Sequence, residues 1–310
     1  MAVPPGRRDK AFDVVGLGLN AVDYLCVVPH FPRFNSKLKM TEFQKQAGGQ
    51  VATALVALSH WGLSTSYIGK VGDDDLGRFT RQELLKEGVD ISHMAEAKGA
   101  VSQFAFIMVD RQTGERTIVW HREKGVNLTP QELRRQMVTA GKVLHMDGHE
   151  MEAALQGARW AREEGISVVL DLDFVYPGTS ELLRLTNILI SDQNFPSAFT
   201  GRSDRLAALQ DLLALGPQEV VMTLGKDGAL ALSPQGSYYC PGFEVKVMDT
   251  TGAGDLFHAA FIYGLLQGWD LEARLAFANA AAALKCCCLG GRAGIPTLQE
   301  IEAFLSEAGR

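Results

Sequence analysis

The residues best suited to chemistry lie together in Asp249-Thr250-Thr251-Gly252-Ala253-Gly254-Asp255, which runs into the apolar stretch Leu256-Phe257-His258-Ala259-Ala260-Phe261. The pattern reads as a tight glycine-bearing turn followed by a helix. A helix start offers unpaired backbone N–H groups and the positive end of the dipole. Gly252, Ala253 and Gly254 carry almost no side chain, so an anion can come close to those N–H groups. Asp255 then stands out, because a carboxylate beside an anion site repels the anion unless it has a task. Two readings stay open on these residues alone. Asp255 is an acidic residue of a plain helix cap, favoured by the dipole, or a general base that takes a proton from a hydroxyl attacking a phosphate held by the turn.

Other polar groups fall where buried strands should end. Gly16-Leu17-Gly18-Leu19-Asn20-Ala21 fits the dinucleotide pattern G-x-G-x-x-A, which makes a dehydrogenase an alternative. That pattern needs a following helix, and Pro29 and Pro32 leave little room for one, while Tyr24 to Val28 reads as strand. Asn20 and Asp23 remain as polar groups past a strand's C-terminal end, where open α/β sheets bind ligands. Gly48-Gly49-Gln50 opens a helix and can bring backbone close to a ligand, or it is a plain linker. Asp192 and Asn194 follow the strand Ile188 to Ser191 and could meet a metal–phosphate group. Thr223-Leu224-Gly225-Lys226-Asp227-Gly228 could hold a nucleotide or form a hairpin turn. Asp73-Asp74-Asp75 reads as a solvated helix cap rather than a metal cluster. His145 and His149 span a strand end and a glycine, which argues against zinc.

The elements that must position these groups follow from pattern. Strands are expected at Phe12 to Gly18, Cys26 to Val28, Leu38 to Gln46, Ser66 to Val71, Gln103 to Val109, Arg116 to His121, Val143 to Met146, Ser167 to Leu172, Ile188 to Ser191 and Glu219 to Leu224. Helices are expected at Val51 to Trp61, Leu76 to Glu87, Glu152 to Glu164, Arg205 to Leu215, Gly254 to Gln267, Leu271 to Cys288 and Leu298 to Glu307. This alternation argues an α/β fold with a doubly wound, mostly parallel sheet flanked by helices. The early strands without intervening helices form a separate small antiparallel sheet in this reading.

The chain has 310 residues, 46% hydrophobic and 21% charged, with a net charge of −6, which gives no footprint for nucleic acid or an anionic membrane. Cys26, Cys240, Cys286, Cys287 and Cys288 form no disulfide framework, and three successive cysteines on a helix point too far apart to clasp one metal. Residues 1–10 read as a loose tail without a signal or anchor. The apolar run Leu275 to Leu284 is too short to span a membrane. A cytoplasmic protein is expected.

Taken together, these stretches resemble the ribokinase family of carbohydrate kinases, also called the phosphofructokinase-B type. The resemblance runs from Val14 to about Leu305. It rests on Gly-x-Gly-x-Asn with Asp23, Gly48-Gly49, Gly69-Lys70-Val71-Gly72-Asp73-Asp74, Thr223-x-Gly225-x-x-Gly228, Ala278-Asn279-Ala280-Ala281-Ala282, Gly294-Ile295-Pro296 and above all Asp249 to Asp255. It implies one kinase domain over residues 11–308, with a lid made of strands from about 24–46 and 103–121. The implied activity is transfer of the γ-phosphate of ATP, with Mg²⁺, to a sugar hydroxyl. The resemblance makes Asp255 the catalytic base and Gly252, Ala253 and Gly254 the anion hole. Asn20, Asp23, Gly48, Gly49, Gln50, Lys37 and Arg116 are implied on the sugar side. Asp192, Thr223, Gly225, Gly228 and Asn279 are implied on the nucleotide side. Asp249 is the implied ligand of a monovalent cation such as K⁺, and the lid is implied to pair in a homodimer.

Within the family, Arg116-Thr117-Ile118-Val119 resembles the ketohexokinases. Ala283-Leu284-Lys285-Cys286 and Gly290-Gly291-Arg292-Ala293-Gly294-Ile295-Pro296 resemble the sulfofructose kinases. A ketose or related small carbohydrate is the expected substrate. Trp120 and Gly148 stand where a sulfosugar pocket would be polar, which argues against a sulfosugar. The family's Asn-x-x-Glu is replaced by Asp192 and Phe195, and the cation-binding hydroxyl by Gly294. These departures keep a second class in view, a sugar- or nucleotide-binding regulator on the same fold.

Overall fold

Continuous apolar runs such as Val14-Val15 and Val168-Val169-Leu170 can only be strands buried on both faces, and they build the centre of the molecule. The computed structural model describes residues 10–309. The first half of the chain forms β1 (Phe12–Leu17), β2 (Ala21–Val28), β3 (Glu42–Gly48), α1 (Gln50–His60), β4 (Thr65–Gly72), α2 (Asp75–Lys86), β5 (Asp90–Ala97), β6 (Phe104–Asp110) and β7 (Arg116–His121). It continues with α3 (Arg135–Val138), β8 (Gly141–Asp147), α4 (Met151–Glu163), β9 (Ser167–Leu172), α5 (Thr179–Leu185), β10 (Ile188–Ser191), α6 (Phe195–Thr200) and α7 (Arg205–Leu213). The last part holds β11 (Glu219–Thr223), β12 (Ala229–Ser233), β13 (Gly236–Cys240), α8 (Ala253–Gln267), α9 (Leu271–Lys285) and α10 (Leu298–Glu307).

Nine strands form the main sheet in the order β13-β12-β11-β10-β9-β8-β1-β4-β5. All neighbours from β11 to β5 run parallel, and β12 and β13 add an antiparallel edge. Alternate side chains feed two cores. Val14, Val143 and Val169 pack with Leu55 of α1, Phe261 of α8 and Leu275 of α9. Val15, Leu144 and Val168 pack on the opposite face with Ala154 of α4 and Leu209 of α7. Each wholly buried Leu or Val contributes about 1.5–3 kcal/mol of apolar transfer, so the layer order is set by these strands. From β1 the chain builds towards β4 and β5 on one side, and later fills β8 to β11 on the other. That reversal places a crevice at the C-terminal ends of β1 and β8.

The small sheet has the order β3-β2-β6-β7. It is mixed rather than antiparallel: β2 pairs β6 in parallel, while β2–β3 and β6–β7 are antiparallel. The physical reason is the route between β2 and β6, which leaves for the main body through α1, β4, α2 and β5 before returning.

Other differences from the sequence reading have local causes. β5 was not expected, because an edge strand with the half-exposed sequence Asp90-Ile91-Ser92-His93 lacks an apolar run. The strand expected at Leu38 to Gln46 shifts to Glu42–Gly48, which is mostly exposed and polar. β2 begins at Ala21, five residues before the expected Cys26. The short helix α5 has Gly178 as its N-cap, with no side-chain cap, and so gives no start signal. β13 likewise alternates only between exposed and half-buried residues. α9 stops at Lys285, so Cys286, Cys287 and Cys288 lie in the turn after it and not on the helix. The five cysteines are free. Of the stretch read as a tail, residues 1–9 lie outside the described residues. Among the described residues, no helix is long and apolar enough to cross a membrane.

Candidate active site

Strand ends and the small sheet enclose a cleft of about 820 Å³. Its floor is the start of α8. Gly252 takes φ +80°, and a side chain there would meet the backbone of Gly291 at 2.8 Å. The N-cap is Gly252, so no side chain caps this helix, and Asp255 lies in its first turn. The first-turn N–H groups of Gly254 and Asp255 therefore have no intrahelical acceptor. A Cβ at Gly254 would meet nothing within 4 Å, so space for an anion lies directly over them. Asp255 lines the same cleft, half-buried. Burial, then the charge of Asp23, pushes its carboxyl up to about 7 against the pull of Arg116, Arg292 and Lys285.

The turn is held from below by Asp249, which is wholly buried. Its carboxylate accepts from Thr251 N at 2.8 Å and Thr251 Oγ1 at 2.7 Å on one oxygen, and from Gly290 N at 2.7 Å on the other. Lys285 Nζ, also wholly buried, donates to the carbonyl oxygens of Asp249 at 2.9 Å and Cys288 at 3.3 Å. A monovalent cation at Asp249 therefore does not fit these residues. The carboxylate is already taken by N–H and O–H donors, and an ammonium holds the nearby carbonyls.

The small sheet closes the opposite wall. Its register puts Asp23, Ala105 and Trp120 in one row, then Leu25, Ile107 and Ile118, then Val27, Val109 and Arg116. Asp23, Ala105, Trp120, Ile107, Ile118 and Arg116 from these rows line the cleft. Arg116 Nη1 donates to Thr250 Oγ1, so the sheet touches the turn that precedes α8. Asp23 lies over Gly48, where an added Cβ would come within 1.9 Å of its Oδ2. Burial, offset by Arg292, raises Asp23 to about 6. Gly49, at φ +96°, brings the start of α1 within 2.5 Å of Leu19 O for any added Cβ. Asn20 is 5% exposed, and neither atom of its amide has a partner among the described residues.

Among the residues singled out from sequence, Asp23, Gly49, Gln50, Arg116, Asp192, Thr223, Gly252, Gly254 and Asp255 line one cleft. Asn20, Gly48, Ala253 and Asp249 lie behind its walls. Lys37 is exposed on the loop between β2 and β3 and does not line the cleft. Gly225 and Gly228 flank a short turn between β11 and β12, a hairpin. Asn279 Nδ2 donates to Cys240 O at 3.0 Å, beside the point where a Cβ on Gly228 would press on that same oxygen. Asp74 caps α2 through Gly77 N at 2.9 Å, as expected of the Asp73 to Asp75 run. His145 and His149 do not share a metal. His145 is wholly buried against Val169 O, and His149 Nε2 lies 3.0 Å from Gln50 Oε1. Among the described residues no cluster of His, Cys, Asp or Glu could hold a metal ion by itself. The dehydrogenase alternative fails, because β1 leads directly into β2 without a helix.

Several lining residues carried no sequence signal. Asp171 and Asp173 come from the end of β9, and Gln50 Nε2 reaches Asp171 at 3.3 Å and Asp173 at 3.5 Å. Burial, with neighbouring carboxylates, raises Asp171 well above the usual carboxylate range. His258, one turn into α8, sets Nδ1 2.8 Å from Gly254 O and Nε2 3.4 Å from Asp171 Oδ1. Behind the cleft wall, Arg292 Nη2 donates to Gly48 O at 2.8 Å, while Nη1 has no partner among the described residues. Strand order brings these groups together, so only the spacing of Gly290-Gly291-Arg292 was visible beforehand.

The sequence model of the pfkB family carbohydrate kinases matches residues 12–298. The chain belongs to that family. A 5-dehydro-2-deoxygluconokinase of Shouchella clausii is 30% identical over 97% of this chain and 98% of its own length. The ribokinase of Bacillus subtilis is 29% identical over 94% of this chain and 98% of its own. Among solved structures, the ribokinase of Thermotoga maritima superposes with a TM-score of 0.82 at 25% identity, covering 95% of this chain and 99% of that one. As a pfkB family member this protein is a carbohydrate kinase, a phosphotransferase acting on a sugar hydroxyl.

Proposed function

We propose that the protein transfers the γ-phosphate of ATP to a hydroxyl of a ketose or related small carbohydrate, with Asp255 as general base. The observation that carries this reading is the shared floor of the cleft, where Asp255 stands beside the open N-terminus of α8. Asp255 removes the hydroxyl proton, the freed oxygen bonds to the γ-phosphorus, and the bond to the β-phosphate oxygen breaks to release ADP. The N–H groups of the turn Gly252-Ala253-Gly254 stabilise the charge on the phosphoryl group. Asn20, Asp23, Gly48, Gly49, Gln50 and Arg116 hold the sugar, with Lys37 as an outer contact from the loop between β2 and β3. Asp192, Thr223, Gly225, Gly228 and Asn279 hold the nucleotide. Closure of the small sheet keeps water from taking the phosphate.

Mg²⁺, when bound, neutralises charge on the nucleotide phosphates. Asp192 fits this ion, which takes one or two carboxylates and keeps water and phosphate ligands. Its Oδ1 accepts from Asn194 N at 3.0 Å and Phe195 N at 2.9 Å and its Oδ2 from Asn194 Nδ2 at 2.8 Å, which fixes the carboxylate at the cleft edge. Phe195 is wholly buried and offers no ligand. Potassium is left out of this reading because of Lys285. The free cysteines suit a reducing, cytoplasmic setting.

The outer face of the lid supports a homodimer. Tyr24, Phe106 and Val119 form one row of it, with Phe106 54% and Val119 65% exposed, and Tyr24 stacks on Phe106 at 5.3 Å. Such a patch on a sheet face suits burial against a second copy. Light scattering on the wild type and on Phe106→Asp tests it, with a dimer expected only for the wild type.

The substrate is tested by ADP release from Mg·ATP across ketoses, pentoses, aldonates, polyols and nucleosides. Because a relative is named 5-dehydro-2-deoxygluconokinase, 5-dehydro-2-deoxygluconate is the first acceptor to include, followed by ribose. Release with one acceptor, lost in Asp255→Asn, is the expected result. Binding of a sugar without release from any acceptor would instead favour the regulator.

A further inference from the structure

Lys285 is a charged group that the reaction scheme leaves without a task. It ends α9, is wholly buried, and aims Nζ at two backbone carbonyls, of Asp249 and Cys288. The carbonyl of Lys285 itself lies 3.1 Å from where a Cβ on Gly294 would stand, so this glycine turn packs against the end of α9. The loop is clamped to the helix end as well, since Met248 N and Asp249 N both donate to Cys286 O, at 2.8 and 3.2 Å. Carbonyl oxygens gathered at the C-terminal end of a helix make a cage of negative potential. Buried lysines are rare unless paired, and this one is paired to the backbone carbonyls of Asp249 and Cys288. Asp249, whose carbonyl is part of the cage, is followed along the chain by Thr250 and then by the turn at the start of α8.

We propose that Lys285 is a built-in monovalent cation, its ammonium filling the carbonyl cage beneath the anion-binding turn so that phosphoryl transfer needs no alkali metal ion. The charge acts through the turn: it orders Asp249 and the backbone that presents the N–H groups, and it does not touch substrate. Lys285 is therefore a positioning residue. A methylene stem of fixed length also keeps the cage occupied at every salt concentration, which a dissociable ion does not.

The test needs no knowledge of the sugar. Thermal melting of the purified full chain is followed in rising KCl and in matched tetramethylammonium chloride, whose cation is too large for a carbonyl cage. For the wild type the two salts should give curves that agree within about 1 °C, because no site binds the smaller ion in the folded state alone. A saturable rise specific to KCl in the wild type would overturn the proposal, and this arm requires no variant to fold. Lys285→Ala empties the cage. It should melt lower in tetramethylammonium chloride and recover saturably with KCl, in the manner of a ligand that binds only the folded state. Lys285→Met fills the same space without charge and should melt lower with no recovery. Equal recovery of the Met variant, or a folded Ala variant that responds to neither salt, would assign Lys285 to packing alone and refute the built-in cation.

Discussion

The two ends of the cleft are built on different terms. At the α8 end, every buried polar group that shapes the turn already has a partner within the fold: Asp249 accepts three hydrogen bonds, and Lys285 donates two. At the lid end, both amide atoms of Asn20 and the Nη1 of Arg292 have none among the described residues, and β7 is exposed along its whole length. An unpaired buried polar group costs about 1–3 kcal/mol, so it persists where something outside the chain completes it. The contrast teaches that the support beneath the α8 turn is completed by folding, whereas the wall around Asn20 is left for a ligand to complete.

Removing the base breaks the finished end. Asp255→Asn should lower kcat by about 10²–10⁴-fold, the usual worth of general base catalysis, while Mg·ATP binds within a few-fold of wild type by calorimetry. A milder way is titration. Because Asp255 is raised to about 7, the base is protonated and idle below that pH. The kcat/KM profile should fall about tenfold per unit on the acid side of 7 and level off above it. A profile flat from pH 5 to 8 would remove Asp255 from the role.

At the unfinished end, Asn20→Ala should raise KM for the sugar about tenfold with a smaller change in kcat, and should not lower the melting temperature of the ligand-free protein. If the amide were part of the fold's own hydrogen bonding, the melting temperature would drop instead. The smallest effect is again at Asp255, now on stability. Its folded pKa is raised, so the protonated form favours folding below the unfolded value of 3.8, and that contribution is lost as pH rises through about 7. Asp255→Asn, which carries no charge, should therefore match wild type near pH 3.5 and exceed it by on the order of 1 kcal/mol at pH 8, half-exposure limiting the gain. Chemical denaturation at the two pH values reads this difference.

Much of this arrangement could be read from the chain, and the unread parts share a cause. β1, β8, β9 and β10 were legible because strands covered on both faces must be apolar throughout. β3 and β5 were not, since an exposed or edge strand needs no such run. The turn at Asp255 was legible because its residues are consecutive. Asp171 and His258 reach one cleft only through strand order, which no local pattern encodes. The direction of the small sheet was missed for the same reason: whether β6 runs with β2 or against it depends on where the chain has been in between.

That excursion has a consequence for how the lid comes into being. Val22 pairs with Phe104, and everything between them belongs to β3, α1 and the edge of the main sheet. The pairing closes a long loop whose entropy is recovered only once the intervening layers have packed, so the lid assembles late. A segment that ends at β3, or one that begins at β6, carries half a sheet and no means to complete it. The small sheet is therefore to be altered by point changes on a finished scaffold; it cannot be exchanged by splicing in a single contiguous segment from a relative.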